Sequence, residues 1–243
     1  MPASSIDSVS TTSFDFLREV DDKYVQRDLV RLDLRKRFVI DANIDEIRGK
    51  GVLDLASHDG RWAFAFAAAG ASAVVGVEAR QHLVETFRRS PNSAMRSKIK
   101  LHHSDLFAFL ESEVHAKRQY DVVAALGIFY HIMDHYRLLR LIHKLRPGLV
   151  IVDGDFLAAN WAYIGLAFED PEMELNSTAS NGEDKVPIGI PSTRAMERMA
   201  ECLGYSVQWA DWNSVPEEER GPVGDYYRPG ARRAMTCMLR PLE

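Results

Sequence analysis

The stretch from residue 51 to residue 152 alternates between short apolar runs and segments with helical spacing, and this alternation constrains the fold more than any other feature. Five runs are expected to be strands: Val52–Leu55, Ala73–Val77, Ile99–His103, Asp121–Leu126 and Leu149–Val152. The segments between them are expected to be helices: Arg61–Ala69, His82–Arg89, Leu106–Val114 and Tyr136–Leu145. Strands that alternate with helices form βαβ units, so the sequence predicts a parallel sheet covered on both faces.

The end of the chain departs from this alternation. A helix is expected over Thr193–Leu203, and two strand patterns, Tyr205–Trp209 and Arg233–Leu239, follow it with no helix between them. Two such strands pair antiparallel as a long hairpin. The sequence therefore predicts a Rossmann-like α/β fold with a seven-stranded, mostly parallel sheet, an antiparallel last strand and helices on both faces. A chain of 243 residues fits one such domain.

Three segments lie outside the regular pattern. Residues 1–45 comprise a Ser/Thr-rich tail and a helical stretch over Ser13–Ala42, which we interpret as a tail and lid preceding a main domain over residues 46–243. Two long loops inside that domain, residues 156–191 and 213–230, are expected to bind the substrate near the carboxyl edge of the sheet. The first carries aromatic and acidic side chains: Trp161, Tyr163, Phe168, Glu169, Asp170 and Glu174. The second carries Asp225, Tyr226, Tyr227 and Arg228.

Charge and composition exclude several classes of protein. The formal net charge of −5 disfavours DNA or RNA as a partner. The most apolar stretch, Trp62–Val77, is interrupted by Gly70 and Gly76, so no membrane span is expected. The amino terminus lacks the basic start and apolar run of a signal peptide, and two cysteines cannot form a disulfide framework. We therefore expect a cytoplasmic protein.

Acidic residues stand at the ends of three successive strands: Asp54, Glu78 and Asp105. A turn over Ala56–Gly60 follows the first of them and leads into a helix. Taken together, residues 50 to 155 resemble the cofactor-binding half of class I S-adenosylmethionine-dependent methyltransferases. That family usually places glycine at alternate positions of this turn, and here Ala56 and His58 occupy two of them while Gly60 matches.

The resemblance implies S-adenosylmethionine as the cofactor. Asp54 and the turn would hold its methionine part, with the carboxylate at the helix amino terminus, Glu78 would accept hydrogen bonds from the ribose hydroxyls, and Asp105 would bind adenine. An isolated Asp such as Asp105 is also commonly a helix N-cap. The cofactor-binding positions implied are Asp54, Ala56, His58, Gly60, Glu78, Ser104, Asp105, Leu106 and Gly127.

The segment after the fourth strand, Gly127–Ile132, resembles the small-molecule branch of the family. The Asn/Asp-Pro-Pro-Tyr signature of enzymes that methylate DNA bases is absent. His131 is the candidate general base for a hydroxyl acceptor, because imidazole titrates near neutral pH. The alternative is a histidine bonded to the backbone beneath the cofactor, and His135 is the second choice as base.

Two carboxylates, Asp153 and Asp155, follow the fifth strand and could bind Mg²⁺, a cation that prefers oxygen ligands. Asp153 resembles a ligand position of catechol-type O-methyltransferases, and Asp134 is a candidate second ligand. The alternative is a structural Asp that stabilises a turn.

These features favour an O-methyltransferase that acts on a small hydroxylated acceptor, with a sugar or natural-product intermediate preferred. Three alternatives stay open: a tRNA-base methyl or carboxymethyl transferase, a nicotinamide-dependent oxidoreductase, and a non-catalytic methyltransferase-like binding subunit. The last is motivated by the two substituted turn glycines. A homodimer is also an open expectation, because Ser13–Ala42 could be a lid or part of a dimer interface.

Overall fold

The structure, a computed structural model, describes residues 13–19, 24–88, 93–173, 176 and 184–242. The tail over residues 1–12 and Glu174 of the first long loop, both named above, lie outside these residues. None of the helices in the described ranges is both long enough and apolar enough to cross a membrane.

Two sheets are formed by the described residues. Their strands are β1 (Gly51–Leu55), β2 (Ala73–Glu78), β3 (Ile99–His103), β4 (Val122–Leu126), β5 (Leu149–Leu157), β6 (Ile164–Glu169), β7 (Val186–Pro191), β8 (Tyr205–Trp209) and β9 (Arg232–Pro241). The main sheet has the order β3-β2-β1-β4-β5-β9-β8, and β9 runs antiparallel to both of its neighbours. The predicted seven-stranded Rossmann-like fold with an antiparallel last strand is confirmed.

Helices cover both faces of this sheet. They are α1 (Gln26–Val39), α2 (Ile44–Ile47), α3 (Arg61–Ala68), α4 (Gln81–Arg88), α5 (Ser93–Arg96), α6 (Leu106–His115), α7 (His135–Lys144) and α8 (Thr193–Glu201). Successive residues of a strand point to opposite faces. In β1, Val52 accordingly packs in the core cluster that contains α1 and α3 residues, while Leu53 packs with α6, α7 and α8.

The prediction of a long loop over residues 156–191 is partly wrong. It contains a separate two-stranded antiparallel sheet, formed by β6 and β7, and β5 itself extends to Leu157. The sequence of β7 did not predict a strand because it contains Pro187 and Pro191. Proline lacks the N–H that hydrogen-bonds to a neighbouring strand, so it is rare within sheets. Prolines are tolerated here because β7 lies at an edge of its sheet. We call β6 and β7 with their connection the hairpin.

The second long loop, residues 213–230, folds into short 3-10 turns over Trp212–Ser214, Glu217–Glu219 and Gly221–Tyr227. Side chains of this loop pack with α1 in a third cluster that includes Leu34, Trp212, Val223 and Tyr226. Helix α1 and this loop therefore lie side by side above the carboxyl edge of the sheet.

Candidate active site

A cavity of about 530 Å³ opens at the carboxyl edge of the main sheet. It spans the place where the strand order reverses between β1 and β4, which is where ligands bind in open α/β sheets. Its walls come from residues 56–58, 77–80, 104–107, 126–128, 130–134 and 153–155, at or after the carboxyl ends of β1 to β5, and from Arg31, Arg35, Arg61, Trp62, Asn176, Val186, Pro187, Asp225, Tyr226 and Ala234. Both long segments that were expected at this edge, and α1 as well, contribute to the cavity.

The turn after β1 keeps the backbone of a glycine turn although two of its three usual glycines are replaced. Ala56, His58 and Gly60 have φ values of 54°, 55° and 78°, all in the left-handed region. A non-glycine residue there costs about 1–2 kcal/mol, so Ala56 and His58 store strain in the wall of the cavity. At position 60 a Cβ atom would lie 2.5 Å from the ring of Phe87, so only glycine fits.

Asp54 lies beneath this turn and does not line the cavity. Its side chain is buried, and no described residue hydrogen-bonds its Oδ2 atom. Burial raises the pKa of Asp54 to about 8, against the opposing effect of the Ala63 backbone N–H. Asp54 therefore acts on any ligand through the turn above it.

Glu78 places a carboxylate at the end of β2. Its Oε2 accepts a hydrogen bond from the backbone N–H of His58 at 2.9 Å, and its Oε1 accepts from Nε of Arg80 at 2.7 Å. Burial acts to raise the pKa of Glu78, but the hydrogen bonds and charge of Arg80 outweigh it and lower that pKa. The cavity wall thus holds an ionised acceptor group, which is what a pair of ribose hydroxyls requires.

Asp105 is a helix N-cap, the alternative that the sequence left open, and it also stands in the cavity wall. Its Oδ1 accepts a hydrogen bond from the backbone N–H of Ala108 at 2.9 Å, so it is the N-cap of α6. Asp105 also lines the cavity, together with Ser104, Leu106 and Gly127. These predicted positions therefore share one wall.

His131 forms a pair with Glu169, a residue expected in a substrate loop but not as the partner of His131. Nδ1 of His131 lies 2.7 Å from Oε2 of Glu169, and both side chains are 11% exposed. His131 lines the cavity, whereas Glu169 stands behind it at the end of β6. A carboxylate at Nδ1 fixes the tautomer and the orientation of the imidazole, which is the arrangement of a general base with its orienting acid.

His135, the second-choice base, is not placed for that role. It is buried, does not line the cavity, and its Nε2 donates to the backbone carbonyl of Gly189 at 3.0 Å. Burial lowers the pKa of His135. It anchors β7 of the hairpin to the start of α7.

Asp153, expected as a Mg²⁺ ligand, is instead the acceptor of a buried hydrogen-bond network. It is 1% exposed and accepts from Nε of Arg35 at 3.1 Å, from the hydroxyl of Tyr226 at 2.7 Å, and from the hydroxyl of Thr236. A carboxylate already neutralised by a guanidinium and held by two hydroxyls does not fit the ligand set of a divalent cation. The expected metal role of Asp153 is therefore corrected to a structural one.

Asp155, the other expected Mg²⁺ ligand, is paired with an arginine, because Nε of Arg232 donates to its Oδ2 at 2.6 Å. Asp134, the other candidate ligand, is exposed and lies near Arg137. Among the described residues, no group of three or more His, Cys, Asp or Glu side chains is arranged to hold a metal ion.

Comparison with known proteins agrees with this geometry. Residues 52–148 match the family described as "Methyltransferase domain". No curated protein matches the chain. The fold is similar to that of the N-terminal domain of EvdMO1 in the presence of SAH and D-fucose, with a TM-score of 0.62, 12% identity, and 87% of this chain and 82% of that chain covered.

Two further solved structures have the same fold. A putative S-adenosylmethionine-dependent methyltransferase from Listeria monocytogenes gives a TM-score of 0.58 at 13% identity, covering 88% of this chain and 98% of that chain. Magnesium protoporphyrin IX methyltransferase from Synechocystis PCC 6803, with bound SAM, gives 0.54 at 16%, covering 95% and 92%. Residues 52–148 thus match a methyltransferase domain, and the chain as a whole has the Rossmann-like fold of these solved methyltransferases.

Proposed function

We propose that the protein transfers the methyl group of S-adenosylmethionine to a hydroxyl of a small, uncharged, hydroxylated molecule. The observation that carries the proposal is the pair of His131 and Glu169 at the cavity, because an alcohol acceptor needs a base and this pair is built as one.

The described residues fit the cofactor. The left-handed turn at Ala56 and His58 brings backbone close to the cavity, and Glu78 and Asp105 supply carboxylates at the ends of β2 and β3. Glu78 would hold the ribose and Asp105 the adenine, while the turn and the amino terminus of α3 would hold the methionine carboxylate. When bound, the cofactor supplies a methyl group on a positively charged sulfur.

The acceptor would lie over β4 and β5, where the remaining walls of the cavity meet. Both arginines there are already paired, Arg35 with Asp153 and Arg31 with Asp225 at 2.7 Å between Nη2 and Oδ2. Each guanidinium already has a carboxylate of the protein as its counter-ion, so neither is available to bind a phosphate or carboxylate of the acceptor. This supports an uncharged acceptor. The solved relative that was studied with D-fucose supports a sugar as the first class to test.

In the proposed step, the acceptor oxygen forms the new bond to the methyl carbon as the bond from that carbon to sulfur breaks. The hydroxyl proton passes to Nε2 of His131, and Glu169 stabilises the imidazolium from the Nδ1 side. Helix α1 and the hairpin wall the cavity and limit the access of water.

The test compares His131→Ala and Glu169→Gln with His115→Ala, a matched control in which an exposed histidine at the end of α6 is removed. Turnover is followed as S-adenosylhomocysteine release with a panel of sugars and phenols. We expect His131→Ala to lower kcat about 10²- to 10⁴-fold while S-adenosylhomocysteine still binds. We expect Glu169→Gln, which removes the carboxylate at Nδ1 of His131, to lower kcat less than His131→Ala does. Unchanged turnover in His131→Ala would refute its role as base.

A further inference from the structure

The segment over residues 161–173, in and beside β6, exposes several large apolar side chains. Trp161, Leu166 and Phe168 are 80%, 63% and 64% exposed, and Tyr163, Ile164 and Met173 are also exposed. From typical side-chain areas these six side chains expose on the order of 700 Å² in total. The largest apolar patch on a monomer is usually about 300–600 Å², so the segment around β6 exposes much apolar surface for a protein that stays alone.

The backbone of β6 adds an open edge to this surface. Leu166 lies opposite Gly189, but the N–H of Gly189 donates to the carbonyl of Ile132, on the side away from β6. The pair of Leu166 and Gly189 is therefore not hydrogen-bonded within the hairpin. Because hydrogen-bonded and free pairs alternate in an antiparallel ladder, the N–H and C=O groups of Ile164, Leu166 and Phe168 all point outward.

The two edges of the hairpin differ in protection. The outer edge of β7 is blocked by two prolines and by the bond to Ile132. The outer edge of β6 carries no proline and no lysine, which are the usual devices that prevent strands from pairing with other chains. Within the described ranges, no strand pairs with this edge. A long, apolar, unprotected edge indicates a surface that is paired in the native assembly.

We propose that two copies of this chain associate through β6, edge to edge and antiparallel, about a two-fold axis at Leu166. The register places Leu166 opposite the partner's Leu166 and Ile164 opposite the partner's Phe168. The two-fold axis repeats the pair of Ile164 and Phe168, so three residue pairs are formed, and all three use the outward-pointing backbone groups. The two hairpins then become one four-stranded sheet. The exposed area is close to the roughly 800 Å² that each partner buries in a standard interface.

Other occupants fit less well. The part of the hairpin connection outside the described residues offers one large apolar residue, Leu175, against the six that are exposed here. An anionic membrane is disfavoured because no Lys or Arg occurs between residues 147 and 184, and Glu169, Asp170 and Glu172 follow the patch. In the two-fold arrangement the acidic end of one β6 lies beside the Tyr163 end of the other, so the acidic ends do not face each other.

The experiment measures mass in solution by sedimentation equilibrium over a range of concentrations. The wild-type chain is expected at 54.8 kDa, twice the 27.4 kDa of one chain. Leu166→Lys places charges opposite each other at the two-fold axis, and Leu166→Pro removes an outward N–H that the hairpin does not use, so both variants are expected at 27.4 kDa. Leu242→Lys changes a comparably exposed leucine outside the patch and should stay dimeric.

Circular dichroism of the variants establishes that they fold. A wild-type mass of 27.4 kDa at all concentrations overturns the proposal, as does a folded Leu166→Lys variant that remains at 54.8 kDa. A monomer that sediments with phosphatidylcholine vesicles would also overturn it and would assign the patch to a lipid surface. None of these readouts depends on cofactor binding or activity.

Discussion

Replacing Asp153 by alanine tests the buried network beside the cavity. The change leaves the guanidinium of Arg35 buried without its counter-ion, and it removes the acceptor of the Tyr226 and Thr236 hydroxyls. Burial acts to lower the pKa of Arg35, but the attraction of Asp153 keeps that pKa raised, so the arginine cannot escape the cost by losing its proton. Removing one partner of a buried ion pair typically costs about 3–5 kcal/mol, and we expect a loss of that size.

The assay is urea unfolding at pH 7, followed by tryptophan fluorescence, with the slope m compared between variants. Glu201→Ala is the matched control, because it removes the partner of Arg198 in a solvent-exposed ion pair and should leave the midpoint unchanged. A combined Arg35→Met and Asp153→Leu variant should lose less stability than Asp153→Ala alone. A loss below about 1 kcal/mol for Asp153→Ala would refute the buried pair, and Mg²⁺-dependent stability of the wild type would revive the metal role.

Two further predictions concern the turn after β1. The folded-state pKa of Asp54 is raised from 3.8 to about 8, so its contribution to stability is present below pH 4 and is lost as the pH rises to 8. Asp54→Asn should therefore gain stability relative to wild type by about 1.4 kcal/mol per pH unit across this range, measured by urea unfolding at several pH values, and an advantage independent of pH would contradict this. Gly60→Ala should lose about 2–4 kcal/mol from left-handed strain and from the clash with Phe87, whereas Gly221→Ala, where a Cβ meets open space, should change stability by less than about 0.5 kcal/mol. Equal losses in the two glycine variants would refute the crowding argument.

The central strands of the main sheet could be predicted from the sequence because they are buried on both faces and are continuous apolar runs, as in β1 and β4. The edge strands Ile99–His103 and Tyr205–Trp209 contain both buried and exposed residues, and their observed bounds equal the predicted ones. The hairpin could not be predicted in the same way. One face of β6 is exposed but apolar, which breaks the usual alternation, and the prolines of β7 read as loop residues.

In the candidate site, too, some residues could be predicted from the sequence and others could not. Glu78 and Asp105 could be predicted because each stands at a fixed position after a strand, and position after a strand determines position at the sheet edge. The partners of His131 and Asp153 could not be predicted, because they depend on how distant segments pack. Glu169 reaches His131 from the hairpin, 38 residues away, and Arg35 reaches Asp153 from α1, 118 residues away.

At the strained turn, the sequence alone did not decide whether the cofactor site is kept or lost. The substitution of two usual glycines by Ala56 and His58 suggested a lost cofactor site, but the backbone adopts the left-handed geometry at all three positions. The strain this requires is consistent with a turn kept for a ligand, because such strain persists where the surrounding structure and function hold it.

We propose that this turn and its neighbouring carboxylates bind S-adenosylmethionine. Calorimetric titration of the purified protein with S-adenosylhomocysteine tests this, with Glu78→Ala as the weakened variant and Glu85→Ala, an exposed glutamate on α4, as the control. We predict a dissociation constant in the micromolar range for the wild type and the control, and a Glu78→Ala value at least tenfold higher, which corresponds to about 1.4 kcal/mol. No detectable heat of binding for the wild type would contradict the account, and it would favour a methyltransferase-like binding subunit over an enzyme.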